Sequence, residues 1–211
     1  MNMNVSEKNV TRSAKSKTRI LLSLVLMLSL LVSLASCSEK RYTKVEQETH
    51  HVEIEIKDFG TIALELDATS APSTVKNFIE LAKAGFYDGT KFHRIIKDFM
   101  VQGGAPTPEW VAAHGEPANI VGEFLANGRT NNIKHTRGTI SMARATSNNS
   151  GSSQFFICQV DYPSLDGQYA AFGHVTSGIE VVDKMAEVPY TGDGAVAEED
   201  QPVITTVRVI D

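Results

Sequence analysis

Cysteine is scarce in this sequence, and its few potential metal ligands are poorly spaced. The 211 residues include two cysteines, Cys37 and Cys158, which excludes a structural disulfide framework. The adjacent histidines His50 and His51 suggest half of a metal site, but no further ligand is spaced to complete it. We therefore predict that the protein has no metal site.

Positive charge is also scarce outside the first 36 residues. The whole sequence has a net charge of -5, but residues 1–36 hold five basic residues and one acidic residue, a net +4, which leaves -9 for residues 37–211. Nucleic-acid binding normally needs a basic face, so this acidic body excludes nucleic acid as a partner. The basic start needs its own explanation.

An uncharged apolar run follows the basic start. It spans residues 20–34, long for the core of a signal peptide and short for a membrane-spanning helix, which needs roughly 20 residues. The run ends in Leu34-Ala35-Ser36-Cys37. These residues resemble the lipobox of bacterial lipoproteins, in which an apolar residue and two small residues precede the lipidated cysteine. An ordinary cleaved signal peptide and an uncleaved anchor are the alternatives.

The lipobox resemblance implies that residues 1–36 are a signal peptide and that Cys37 is the lipidation site. Two or more acyl chains hold a protein on a membrane far better than one. We therefore expect a protein of the bacterial cell envelope, anchored to a membrane by its N-terminal lipid, with the domain on the extracytoplasmic side. The periplasm is the expected compartment, and a Gram-positive surface is the alternative.

The rest of the chain is predicted to be a short tether and one domain. Residues 37–50 are polar and lack apolar periodicity, which is typical of a tether. Residues 51–211 are numerous enough for one well-buried core. Within them, apolar and polar residues alternate over 52–56 and 62–66, which predicts a β-hairpin.

Many short strands and two isolated helices are predicted in this domain. The first helix is capped at or near Ser70, has Pro72 in its first turn and ends at Gly85, and the second helix covers about residues 179–186. The remaining strands are predicted at residues 91–96, 99–102, 138–143, 154–160, 170–175 and 203–210. This pattern favours a β-barrel or sandwich over a parallel α/β sheet.

Four motifs follow one another along the domain. They are FHRIIKDFMVQGG at residues 92–104, GTISMAR at 138–144, SQFFI at 153–157 and LDGQYAAFG at 165–173. With VKNF at 75–78, they strongly resemble the cyclophilin family of peptidyl-prolyl cis/trans isomerases. The resemblance implies a mainly β fold, a closed eight-stranded antiparallel barrel capped by two α-helices. It also implies isomerisation of X-Pro bonds in polypeptides, without a cofactor, by a protein that is usually monomeric.

The same resemblance assigns the site residues. Arg94 matches the catalytic arginine, and Gln102 matches the glutamine near the carbonyl group that moves. The residues implied in substrate binding are Phe99, Met100, Phe156 and Leu165 around the proline ring, Ala143, Arg144 and Gln154 along the substrate chain, and Tyr169 in the pocket wall. His93 is interpreted as a hydrogen-bonded structural residue.

The chemistry of the reaction suits these residue types. An X-Pro bond rotates against a barrier of roughly 18–20 kcal/mol, and no covalent bond has to break. A site has to hold the proline ring in an apolar pocket and stabilise a twisted amide whose nitrogen carries a localised lone pair. The always-charged guanidinium of Arg94 can donate to that nitrogen. Taken alone, Phe99, Met100, Phe156 and Leu165 would be interpreted as ordinary core residues.

Three positions depart from the family pattern. Ser164 stands where many members have tryptophan, Tyr169 replaces a pocket histidine, and Arg144 stands where many members have asparagine. Without the indole we expect weak cyclosporin binding. Tyr169 predicts an altered substrate preference, and Arg144 is expected to add charge at the rim of the pocket.

Two functions are weighed from these residues. One is an isomerase that assists the folding of exported proteins, and the other is a module that binds proline-containing segments with little turnover. A binding module would be expected to lose part of the catalytic set. The sequence favours the enzyme because Arg94, Phe99, Met100, Gln102 and Phe156 are all present. A structural envelope lipoprotein, the third class, would not need an intact pocket.

Overall fold

The computed structural model describes residues 48–211, which begin with the predicted hairpin. Strands β1 (Thr49–Ile56) and β2 (Gly60–Asp67) pair antiparallel, and Val52 lies opposite Leu64. Their alternate apolar side chains are buried, as the period of two predicts. The predicted signal peptide, Cys37 and the tether up to residue 47 lie outside the described residues.

Strand β1 begins earlier than predicted. Thr49 pairs with Asp67 and His50 with Leu66, so these last two residues of the predicted tether belong to the sheet. The ring of His50 also contacts the side chain of Asp211, with Nδ1 at 3.2 Å from Oδ2. The sequence shows no alternation of apolar and polar residues here, because Thr49 and His50 are both polar. Backbone hydrogen bonds to β2 hold this part of the strand.

Six further strands complete one antiparallel sheet. They are β3 (Phe92–Ile96), β4 (Met100–Gly103), β5 (Thr139–Met142), β6 (Phe155–Cys158), β7 (Ala170–Ser177) and β8 (Ile204–Val209). The order across the sheet is β3-β4-β6-β5-β7-β2-β1-β8. The fold is therefore mainly β, with eight antiparallel strands in one curled sheet.

The two edge strands of the sheet, β3 and β8, meet at their beginnings. Lys91 and Val203, which directly precede these strands, form an isolated antiparallel bridge, and the N–H of Phe92 donates to the carbonyl of Pro202 at 2.9 Å. Within residues 48–211 no continuous ladder joins β3 to β8. Complete closure of the barrel stays a prediction.

Residues 48–211 contain three α-helices where two were predicted. Helices α1 (Pro72–Lys83) and α3 (Ile179–Ala186) lie at the predicted places, and α2 (Pro108–His114) is additional. Helix α2 has seven residues and none of them is fully buried, so it leaves no apolar periodicity in the sequence. Its first turn is capped by Thr107, whose hydroxyl accepts the N–H of Trp110 at 3.2 Å.

Aromatic side chains fill the core between α1 and the sheet. Phe78 of α1 lies 4.9 Å from Tyr87, 5.5 Å from Phe155 and 5.4 Å from Phe172, measured between ring centroids. Phe155 also meets the ring of Phe92 edge-on at 5.9 Å. All five side chains are buried, so this cluster anchors the sheet on its inner face.

We expect Phe155→Ala to lower the free energy of unfolding by about 3–5 kcal/mol, because it leaves a cavity among the surrounding aromatic rings. Urea denaturation measures the change. Ile210→Ala is the control, since Ile210 is 57% exposed and its truncation should alter stability by about 0.5 kcal/mol or less. Equal effects of the two substitutions would contradict this description of the core.

Candidate active site

The strand register places site residues in a row on the outer face of the sheet. Arg94 lies opposite Gln102, Gln102 opposite Phe156, and Phe156 opposite Ser141, across β3, β4, β6 and β5. Successive side chains of a strand point to opposite faces. The neighbour of Phe156 in sequence, Phe155, therefore belongs to the core while Phe156 belongs to the site.

An irregularity in β3 brings Arg94 into this row. The pairing shifts register between Phe92 and Arg94, so His93 is an extra residue relative to β4. Phe92 is fully buried in the core, and Arg94 is half-buried on the outer face. This β-bulge thus allows the short strand β3 to place Phe92 in the core and Arg94 at the candidate site.

A tight turn between β3 and β4 presents Phe99. Asp98 adopts a φ of 60°, in a region that aspartate tolerates better than most residues, and its N–H donates to Oε1 of Gln159 at 2.7 Å. The N–H of Phe99 donates to the carbonyl of Ile96 at 3.1 Å, and its carbonyl accepts from the N–H of Gln159 at 2.9 Å. The backbone on both sides of the Phe99 ring is therefore fixed.

The structure brings nine of the ten predicted site residues of the domain around one cavity of about 120 Å³. The cavity is lined by Arg94, Phe99, Met100, Gln102, Ala143, Arg144, Phe156, Leu165 and Tyr169. The tenth residue, Gln154, does not line it but contacts Gln102.

The floor of this cavity is apolar. Met100, Phe156 and Cys158 form a small buried cluster that is separate from the main core. Burial raises the pKa of the Cys158 thiol to about 12, so the thiol is un-ionised near neutral pH. It packs below the cavity as a small apolar group.

The polar side of the cavity is a chain of three side chains. Nη1 of Arg94 lies 3.4 Å from Oε1 of Gln102, and Nε2 of Gln102 donates to Oε1 of Gln154 at 3.1 Å. Nε of Arg94 donates to the carbonyl of Asp193 at 2.8 Å. Among residues 48–211 no hydrogen bond involves Nη2 of Arg94. The guanidinium is thus held at Nε and Nη1.

Arg144 and Tyr169 form the opposite rim. The guanidinium carbon of Arg144 lies 4.6 Å from the ring centroid of Tyr169 and 5.2 Å from that of Phe124. Its Nε also donates to the carbonyl of Gln168 at 3.1 Å. Arg144 therefore adds a positive charge at the rim. Its guanidinium group is held in place by the two aromatic rings and the carbonyl of Gln168.

A buried polar network under the cavity was not predicted. Nδ1 of His135 lies 3.1 Å from Oδ1 of Asp166, and its Nε2 lies 3.0 Å from Oγ of Ser141. The ring of His135 is nearly parallel to that of Phe156 at 6.1 Å. His135 therefore links Phe156 on the floor to Asp166, the neighbour of Leu165 in the wall. The only sequence signal was the position of Asp166 inside the LDGQYAAFG motif.

The charge states of this network follow from burial and pairing. Desolvation lowers the pKa of His135, although the hydrogen bond to Asp166 opposes the shift. Desolvation tends to raise the pKa of Asp166, but the hydrogen bonds from His135 and Lys134 outweigh it and lower that pKa overall. Near pH 7 the pair is therefore a neutral imidazole and a carboxylate.

His93 lies outside the cavity of Arg94. It lines a second surface cavity of about 460 Å³ together with Lys91, Thr107 and Glu198. Within residues 48–211 its buried Nδ1 has no hydrogen-bond partner, so the prediction that His93 is hydrogen-bonded is wrong for this nitrogen. Desolvation lowers the pKa of His93. In the same part of the chain, no three His, Cys, Asp or Glu side chains are placed to hold a metal ion.

The lowered pKa values predict how stability depends on pH. Below about pH 6.5, the ordinary pKa of histidine, His93 and His135 bind protons in the unfolded chain. In the folded state they stay neutral to a lower pH, because burial lowers their pKa values. The free energy of unfolding should therefore fall from about pH 6.5 down to the lowered pKa values of the folded state. Denaturation at several pH values between about 7.5 and 5 measures this slope.

The variant His135→Gln assigns part of that slope to one residue. It should show a shallower decrease than the wild type, whatever its stability at pH 7.5, because glutamine does not titrate. An unchanged slope would contradict a role for His135 in this pH dependence.

Comparison with known proteins agrees with the fold. Residues 51–209 match the family described as "Cyclophilin type peptidyl-prolyl cis-trans isomerase/CLD". A peptidyl-prolyl cis-trans isomerase of Helicobacter pylori is 46% identical over 130 residues, which cover 61% of this chain and 76% of the relative. Peptidyl-prolyl cis-trans isomerase A of Dickeya dadantii is 44% identical over 134 residues, covering 61% and 67%.

Solved structures show the same similarity. The crystal structure of a cyclophilin type peptidyl-prolyl cis-trans isomerase of Cryptosporidium parvum has a TM-score of 0.66 and 27% identity, and covers 78% of this chain and 99% of that chain. A second crystal structure of that protein, in the presence of the dipeptide Ala-Pro, has a TM-score of 0.64.

The class of cyclophilin-like proteins fits these observations: an eight-stranded antiparallel sheet that carries, on its outer face, an arginine beside a cavity with an apolar floor. This chain belongs to the cyclophilin-type peptidyl-prolyl cis/trans isomerase family. Its activity is the cis/trans isomerisation of X-Pro peptide bonds.

Proposed function

We propose that the cavity beside Arg94 is the catalytic site, and that it acts on proline-containing segments of exported proteins next to a membrane. The observation that carries the proposal is the row of Arg94, Gln102 and Phe156 across three strands, which puts a cation beside a cavity with an apolar floor. No cofactor takes part in the proposed reaction.

The apolar wall holds the proline while the rest of the bond turns. The substrate ring lies among Phe99, Met100, Phe156 and Leu165, where burial of its methylene groups provides the binding energy. With the ring fixed, the carbonyl group that precedes it rotates through the twisted state. Because no bond breaks, the site only has to bind that twisted state more tightly than either planar isomer.

Arg94 supplies the preference for the twisted state. When the C–N bond is twisted, the proline nitrogen becomes pyramidal and accepts a hydrogen bond that the planar amide cannot accept. The contacts of the guanidinium with Gln102 and Asp193 orient it before the substrate arrives, so little reorganisation is needed during the reaction. Gln102 is itself oriented by Gln154.

The substrate chain is positioned by the backbone at the end of β5. The N–H of Ala143 donates to the carbonyl of Gln154 at 2.9 Å. Ala143 therefore contributes its carbonyl oxygen, and the adjacent backbone of Arg144 completes the contact. Tyr169 closes this side of the cavity and shapes the preference for the residue beside the proline.

The proposal includes a closed barrel and a monomeric protein. The bridge between Lys91 and Val203 supports closure at the seam of β3 and β8. The monomeric state rests on the resemblance to the cyclophilin family, whose members are usually monomeric.

We expect Arg94→Ala to lower kcat/KM for an X-Pro tetrapeptide by roughly 100- to 1000-fold, as the removal of one pre-oriented donor does in other enzymes. A protease-coupled isomerisation assay with residues 48–211 measures the rate. Arg208→Ala is the control, because Arg208 is half-exposed on β8 and pairs with Glu53 and Glu55.

The outcomes separate the competing functions. Unchanged turnover in a folded Arg94→Ala protein would refute the catalytic role of this residue. A folded wild-type protein that binds the peptide but turns it over no faster than the uncatalysed rate would favour the binding module.

The cellular part of the proposal is supported by the first 37 residues of the sequence. A basic start, an uncharged apolar run over residues 20–34 and the sequence Leu34-Ala35-Ser36-Cys37 have the order expected of a lipoprotein signal. We propose that Cys37 carries the lipid and that the isomerase domain lies on the extracytoplasmic, periplasmic side of a bacterial membrane, where newly exported chains fold.

We expect Cys37→Ser to abolish lipid labelling of the full-length chain in a Gram-negative host, because the acceptor thiol is lost. Metabolic incorporation of a palmitate analogue and fractionation measure this change. Cys158→Ser is the matched control, since Cys158 is buried in the domain, and it should label like the wild type. Equal labelling of wild type and Cys37→Ser, or a wild-type chain that keeps residues 1–36, would contradict lipidation at Cys37.

A further inference from the structure

Beside the cavity lies a tyrosine that has no role in the scheme above. The ring of Tyr162 packs on that of Phe99, with the centroids 4.2 Å apart and the planes inclined by 37°. Phe99 lines the cavity and Tyr162 does not, so Tyr162 lies behind or beside this wall. Tyr162 is 37% exposed and is one of the few large hydrophobic side chains exposed on the domain.

The backbone of Tyr162 is fixed on both sides. Its N–H donates to the carbonyl of His135 at 2.7 Å, and its carbonyl accepts the N–H of Leu165 at 3.1 Å. Leu165 lines the cavity at the end of the 3-10 turn Pro163–Leu165. Tyr162 therefore connects the Phe99 wall to the Leu165 wall, and its ring is presented from a constrained position.

The exposed part of the ring is accessible to a peptide. Pro163 and Ser164, the next two residues, are exposed and small, so no large neighbouring side chain in this turn covers the ring. A substrate whose proline lies beside Phe99 has its flanking residues within reach of Tyr162, because the two rings are 4.2 Å apart and an extended chain advances about 3.3 Å per residue. A tyrosine ring offers rigid apolar area together with a polar hydroxyl tip.

We propose that Tyr162 extends the apolar wall of Phe99 and sets substrate specificity, favouring polypeptides with a large apolar or aromatic residue next to the proline. The inference rests on the isomerase activity of the site. Tyr162 contacts the flanking side chain, not the reacting bond, so its removal should act mainly on KM.

The test compares tetrapeptides that carry either alanine or phenylalanine beside the proline. We expect Tyr162→Ala to lower kcat/KM roughly 3- to 10-fold on the phenylalanine peptides, which is the range of one aromatic contact, and less than about 2-fold on the alanine peptides. Tyr162→Phe should retain the preference because it keeps the ring. Tyr190→Ala is the matched control, since Tyr190 is 38% exposed and does not line the cavity.

Two results would overturn the proposal. Equal losses on both peptide series would mean that Tyr162 only supports the position of Phe99, and no loss on either would mean that it has no part in substrate binding. Wild-type protein without turnover on any peptide would instead overturn the activity itself. In that case calorimetry decides: weaker binding of phenylalanine peptides alone to Tyr162→Ala supports the proposal, and equal affinities overturn it.

Discussion

The register between β4 and β6 is the constraint on which both the core and the cavity depend. Gln102 lies opposite Phe156, and Gly103 lies opposite Phe155. Because side chains alternate between the two faces of a sheet, a slip of one residue would move Phe155 out of the aromatic core and Phe156 into it. The packing that stabilises the protein is therefore also what fixes the site. A substitution among the core rings around Phe155 can therefore also alter the cavity on the other face of the sheet.

The proposed catalytic site only has to position the substrate and its own polar groups, because the reaction is a rotation. Its apolar floor, the cluster of Met100, Phe156 and Cys158, is buried like the core but lies on the opposite face of the sheet. Beneath and beside it, two networks of hydrogen bonds hold polar groups still, one through Arg94 and Gln102 and the other through His135. Pre-orientation of this kind replaces the nucleophiles and metal ions that bond-breaking enzymes use.

Much of the fold could be predicted where side chains carry the pattern. Alternation identified the β1–β2 hairpin, and helical periodicity identified α1 and α3. The motifs placed nine residues at one cavity, and without the motifs four of them, Phe99, Met100, Phe156 and Leu165, would have been interpreted as core residues. Features held by backbone groups or isolated polar contacts left no such pattern: the start of β1, helix α2, the carbonyl of Asp193 beside Arg94, and the partners of His135. Tyr162 could not be predicted either, because its partner Phe99 is 63 positions away in the sequence and only the fold brings the rings together.

The position of β1 has a mechanical consequence. Any tension that the preceding residues exert on the domain enters at Thr49, and β1 has a neighbour on each side, β2 and β8. A pull along the strand loads these antiparallel hydrogen bonds together, in shear, instead of opening them one after another. A pull on the residues before Thr49 would therefore be resisted by two ladders of backbone hydrogen bonds, one on each side of β1.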